Sequence, residues 1–282
     1  MLPRARVTRL VLLGAIGLLL GLLLGILGGG GSILTVPALV YGAGIAPKPA
    51  IAMSLAVVGV TSAVGSVWQW RRGKLQSRVA LLFGLSAMAG ALVGARLAVL
   101  LRGDVQLLLL AMVMVAAAVG MLRGSGAPAG AEQRLAAPPR TMLLGTTGVV
   151  VGIMTGIVGI GGGFLIVPAL TLLAGLPMAD AVGTSLVIIA MNSAAGFVGT
   201  AGHVAVPWQA TAVVIVGAIV GIAAGTRIGG RLSATQLQRG FAVFLLGVAA
   251  FVVYANRALL TGGPPDGSRA TARVAVSATI TA

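Results

Sequence analysis

The chain has no cysteine, one histidine and four acidic residues in 282. Without cysteine there is no disulfide, no thiol chemistry and no thiolate metal site. The lone His203 and the acids Asp104, Glu132, Asp180 and Asp266 cannot supply the paired acids or zinc ligands of a membrane hydrolase. No acid falls in the middle of an apolar run, where cation pumps and many proton-coupled carriers keep a carboxylate. An enzyme and a carrier of bare metal cations are therefore excluded, and no cofactor or metal is expected. Charge itself is scarce, at 8% of residues, against about 25% in a soluble domain.

What is abundant is apolar. Hydrophobic residues make up 58% of the chain, and the mean hydropathy is +1.10. Apolar runs of roughly 20 residues recur, which predicts membrane-crossing helices. Barrel strands would be shorter and would alternate polar with apolar. The formal charge of +15 sits in short basic clusters between these runs. That is how lysine and arginine mark membrane loops, and it argues against a nucleic-acid partner. The start, MLPRARVTRLVLLGAIGLLLGLLLG, has the look of a signal peptide. It runs straight into a glycine phrase that recurs far from the N-terminus, so it reads as a first span.

The fold predicted is all-α and polytopic, with eight transmembrane helices near 8–44, 49–69, 78–101, 105–122, 141–175, 180–201, 207–229 and 236–257. The Pro/Gly/Ala-rich stretch 123–140 reads as a linker between a first repeat, 1–122, and a second, 141–260. The tail 261–282 is expected to be disordered. The repeat itself is explicit. GILGGGGSILTVPAL (Gly25 to Leu39) and GIVGIGGGFLIVPAL (Gly156 to Leu170) share ten of fifteen positions at an offset of 131. The same register pairs Ser54 with Ser185, Gly65 with Gly196, Gly90 and Gly94 with Gly221 and Gly225, and Arg96 with Arg227. Internal duplication is characteristic of secondary transporters. If every span crosses, 13 of the 19 lysines and arginines lie on the N-terminal side. That bias places both termini in the cytoplasm and makes the repeats parallel. Glycine breaks folded into full hairpins would invert the repeats instead.

Spans one and five, at about 35 residues, are too long for one straight crossing of a roughly 30 Å core. Each carries its glycine phrase near the middle. Backbone that leaves a helix inside a bilayer must be buried in protein or line a wet cavity. The two breaks are therefore expected to face each other and to start new half-helices whose free N–H groups attract an anion. The candidate cradle is Gly28, Gly30, Gly31 and Ser32 in the first copy and Gly159, Gly161, Gly162 and Gly163 in the second. Pro37 and Pro168 are expected within the first turns of those half-helices. Ser54, Thr184, Ser185 and Asn192 are candidate substrate contacts, and Arg96 and Arg227 candidate steering charges. Gly90/Gly94 and Gly221/Gly225 read as helix-packing faces.

The duplicated G-x-x-G-x-G-G phrase ending in V-P, with AIAMSL and AVGTSL downstream and then GALVGARL and GIAAGTRI, resembles the TauE/SafE sulfite exporter family. The resemblance covers about residues 10–257. It implies a multi-pass bacterial inner-membrane transporter of small anions such as sulfite, organosulfonates or related organic acids. A channel or facilitator for a small ion or neutral solute is the alternative. Met53 stands where the second copy has Thr184, which departs from a symmetric site.

Overall fold

The computed structural model describes residues 2–98, 103–123, 141–158, 163–200 and 205–255. Among these, all regular structure is helical. Helix α1 spans Leu2–Leu27, and a short 3-10 turn, Gly28–Gly31, leads to α2, Ser32–Pro37. Then come α3 (Pro47–Arg71), α4 (Ser77–Ala98) and α5 (Gly103–Arg123). The second half holds α6 (Thr141–Val158), α7 (Gly163–Pro168), α8 (Met178–Thr200), α9 (Trp208–Gly229) and α10 (Ala234–Ala255). Among the described residues, six helical stretches are long and apolar enough to cross a bilayer, and three shorter apolar helices accompany them. The linker and the tail lie outside the described residues.

Val7–Gly42 is an almost unbroken helical string, yet it does not run straight. Gly28 has φ +65° and reverses the chain. A straight helix would carry Gly31 about 10 Å beyond Leu24. Instead, a Cβ on Gly31 would stand 2.7 Å from the Leu24 nitrogen and 3.1 Å from the Leu20 oxygen. One on Gly42 would stand 3.3 Å from Ile16. The segment 32–42 thus folds back along α1 as a hairpin. In the second half, Ala169–Leu173 lies back against α6 in the same way. Pro37 and Pro168 close α2 and α7 instead of opening them, and a π-helical stretch follows each. Proline supplies no N–H to the ladder, and the wider π register carries the chain past the gap.

Contacts fix the helix directions. Gly17, Gly21 and Gly25 of α1 meet Val214, Ala218 and Ile222 of α9, so these helices run parallel. Gly148 and Gly152 of α6 meet Phe83 and Ala87 of α4, the same contact one offset later. These small residues let backbones touch, as the Gly-xxx-Gly reading anticipates. Helices α3 and α8 cross antiparallel: Gly65 meets Leu186, Gly59 meets Ser193 and Gly196 meets Leu55. The first and last of these contacts exchange under the 131 offset, which marks a local two-fold axis across the crossing. Related helices therefore point in opposite directions, and the parallel arrangement expected from charge is corrected.

The physical reason is the hairpin, which returns the chain to its starting side before α3 crosses. Arg72 shows the consequence. Its Nη1 donates to the Thr226 carbonyl at 2.8 Å, at the C-terminal end of α9. Because α1 and α9 are parallel, the basic cluster Arg71, Arg72, Lys74 and Arg78 lies at the end opposite the α1 N-terminus. The charge excess that assigned cytoplasmic termini no longer singles out one side.

Candidate functional site

The two hairpins meet in the interior. Gly29 presses on the Gly163 carbonyl so closely that no side chain fits between them. A Cβ on Gly163 would stand 2.5 Å from Ser32 Oγ and 3.2 Å from the Gly29 oxygen. Ser32 and Gly163 are offset-related, so the contact sits on the local two-fold axis. Gly28 is buried beside α8, and a Cβ there would stand 2.7 Å from Ser185 Oγ and 3.2 Å from Val167. Gly159, Gly161 and Gly162 lie outside the described residues.

The other candidates separate by what they touch. Gly30 faces the rings of Phe241 and Phe244, each 3.2 Å from a Cβ built on it. Gly31 is spent on the hairpin, against α1 backbone. Ser32 Oγ donates to the Gly29 carbonyl at 2.7 Å. Ser54 and Ser185 repeat one local bond, to Ile51 and Val182 carbonyls, both at 2.8 Å. Arg96 and Arg227 are exposed, and Arg227 Nη1 reaches only the Ala223 carbonyl of its own helix, at 3.5 Å. Among the described residues no His, Cys, Asp and Glu group gathers that could hold a metal ion.

Thr184 is fully buried, and its hydroxyl oxygen accepts the Gln76 backbone N–H at 3.1 Å. It anchors the turn before α4. The offset partner of Gln76 is Pro207, which has no N–H to offer, and the partner of Thr184 is Met53. The threonine-for-methionine asymmetry thus follows a backbone donor that exists in only one half. Thr184→Val should cost about 1–3 kcal/mol by leaving the Gln76 N–H unpaired. Thr184→Val combined with Gln76→Pro removes both partners and should recover most of that loss. Thermal melting of the two variants in detergent checks this.

Among the described residues, three buried polar atoms have no partner: Thr61 Oγ1, Ser62 Oγ and Asn192 Oδ1. Each such group costs about 1–3 kcal/mol, and transmembrane hydroxyls ordinarily return to their own helix carbonyls. Asn192 was singled out by its depth in the sixth span. Thr61 and Ser62 were missed, although Thr61-Ser62 and Asn192-Ser193 fall on the 131 offset. Thr61 opens to a small cavity under the first hairpin, lined by Leu20, Leu24, Thr35 and Ala218 among others.

Internal duplication with interrupted membrane helices is a form that secondary transporters take. The sequence profile of the sulfite exporter TauE/SafE family matches residues 13–252. The chain belongs to the TauE/SafE family. A "Probable membrane transporter protein" of Xylella fastidiosa (strain Temecula1 / ATCC 700964) is 35% identical over 247 residues, covering 86% of this chain and 95% of that one. Its counterpart in strain 9a5c is 34% identical with the same coverage. The "Probable membrane transporter protein YdhB" of Bacillus subtilis (strain 168) is 26% identical over 215 residues, 74% of this chain and 86% of that one. No solved structure gives a significant match. This TauE/SafE chain is thus a multi-pass membrane transporter.

Proposed function

We propose that the protein is a bacterial inner-membrane secondary transporter of small anions, with sulfite and organosulfonates as the substrate class. The observation that carries this reading is the meeting of two glycine hairpins at Gly29, Ser32 and Gly163 inside the membrane. Irregular backbone at that depth belongs where it is buried in protein or lines a path. Helix starts there carry positive partial charge with no buried lysine or arginine. The protein comprises two inverted repeats, each a hairpin followed by three crossings, so both termini share one side. Parting of the hairpins opens the path alternately toward each face. The exposed Arg96 and Arg227 act as steering charges at the mouths, felt at low ionic strength and screened at high.

Flux in proteoliposomes tests this. Purified protein should carry labelled sulfite or an organosulfonate well above protein-free vesicles, saturably and with counterflow. Conductance that never saturates would make it a channel, and no flux of either anion class would end the proposal.

A further inference from the structure

We propose that the α3–α4 turn, residues 72–76, is a clasp that holds shut the end of the carrier opposite the α1 N-terminus, and that the other end, which has no equivalent clasp, opens more readily. This rests on the reading that the hairpins part to open a path toward each face in turn, and its test needs no substrate.

The turn joins two helices of the first repeat, yet it is fastened to two helices of the second. Arg72 Nη1 donates to the Thr226 carbonyl at 2.8 Å, at the end of α9. Four residues on, the Gln76 N–H donates to Thr184 Oγ1 at 3.1 Å, near the start of α8. Between these bonds Gly183 lies against the Lys74 carbonyl, and a Cβ on Gly183 would overlap it. Helix α8 therefore grips the turn with a backbone contact and a hydroxyl at adjacent residues. The turn is itself tight, because the Lys74 N–H donates to the Gln69 carbonyl at 3.0 Å and Gly73 has φ +68°. A short strap thus ties the end of α9 to the start of α8. Helix α9 lies along α1, which leads into the first hairpin, and α8 bears on both hairpins, at Gly28 and at Gly163. The strap spans the seam where the hairpins meet.

The local two-fold axis says what the other end would need for a clasp of its own, and the sequence lacks it. At the 131 offset the turn answers to residues 203–207, in the α8–α9 connection. Thr184 and Gln76 answer to Met53 and Pro207, which have neither the hydroxyl nor the N–H. Gly183 answers to Ala52, whose Cβ fills the space that a carbonyl takes at the clasped end. Arg72 answers to His203, and a neutral imidazole carries one N–H where a guanidinium carries five. All four differences weaken the same end. In a carrier built of inverted repeats the two ends exchange roles as the path alternates. Unequal fastening makes one end costlier to open, and a single hydrogen bond from a charged donor shifts such an equilibrium about tenfold or more.

The cysteine-free chain allows a direct test. Ser185→Cys and Ser54→Cys are offset-related reporters, each about two turns inside the start of its helix, α8 at the clasped end and α3 at the other. Full-length protein in detergent presents both ends to a water-soluble maleimide. The Ser54→Cys thiol should react faster than the Ser185→Cys thiol. Adding Arg72→Gln or Gly183→Ala should speed the Ser185→Cys thiol about tenfold and leave the Ser54→Cys rate unchanged. Ala52→Gly, Met53→Thr and Pro207→Gln together supply the missing groups at the other end and should slow the Ser54→Cys thiol, a result that does not depend on the released variants folding. Equal rates at the two reporters, clasp variants that speed both alike, or a three-residue variant that slows neither would each overturn the assignment and leave the turn an ordinary structural tie. The predicted rates in a protein that carries no sulfite or organosulfonate would support the clasp and end the anion reading alone.

Discussion

Gly29→Ala should remove most of the folded protein. The added methyl lands on the Gly163 carbonyl, and the atoms on both sides of the contact are backbone. Neither side can yield by changing a rotamer. Overpacking a tight site costs about 1–3 kcal/mol or more, a large share of a total stability of about 5–15 kcal/mol. The displaced atoms also join the two halves of the molecule, so the damage is not local. Gly240→Ala and Gly247→Ala are the controls. A Cβ at either meets nothing within 4 Å, and alanine in a helix interior gains up to about 1 kcal/mol over glycine. Size-exclusion profiles and melting curves in detergent should show Gly29→Ala depleted and early-melting, with both controls at or above wild type. Gly29→Ala melting with the controls would mean the hairpins do not touch. Gly31→Val belongs with Gly29→Ala and not with the ligand tests. Its side chain would wedge 32–42 away from α1, so lost transport there would report a broken hairpin.

Much of this was legible because membrane helices state themselves plainly. Apolar length gave the crossings, and the spans other than one and five end within about three residues of the observed helices wherever their ends are described. The offset of 131 was legible because a proline, an arginine and a set of glycines do not recur in register by composition alone. Hairpin or crossing was not legible. A run of 35 apolar residues has the same composition whether it goes on or turns back, and the difference rests on the sign of φ at Gly28. That single torsion also misled the charge count, since it moves Arg71, Arg72, Lys74 and Arg78 to the other end of the bundle.

The site was half legible for a similar reason. Glycine phrases announced where backbone leaves the helix, and Gly29, Ser32 and Gly163 do meet. Which hydroxyls are free cannot be read from a sequence. Ser54 and Thr61 are alike as letters, yet one bonds Ile51 and the other bonds nothing. The role of Thr184 needed the loop before α4, which is distant in sequence, to be brought beside it.

The most direct test uses the absence of cysteine. Ser32→Cys with Gly163→Cys places the only two thiols of the chain at the hairpin contact, where a Cβ built on Gly163 would stand 2.5 Å from Ser32 Oγ. A protease site inserted in the linker 123–140 separates the halves unless a disulfide joins them. Oxidation should keep the cut halves together on a denaturing gel and stop sulfite or methanesulfonate flux completely, and reduction should restore both states. Halves that separate after oxidation would contradict the meeting of the hairpins, and joined halves that still transport at the wild-type rate would contradict their parting as the transport step.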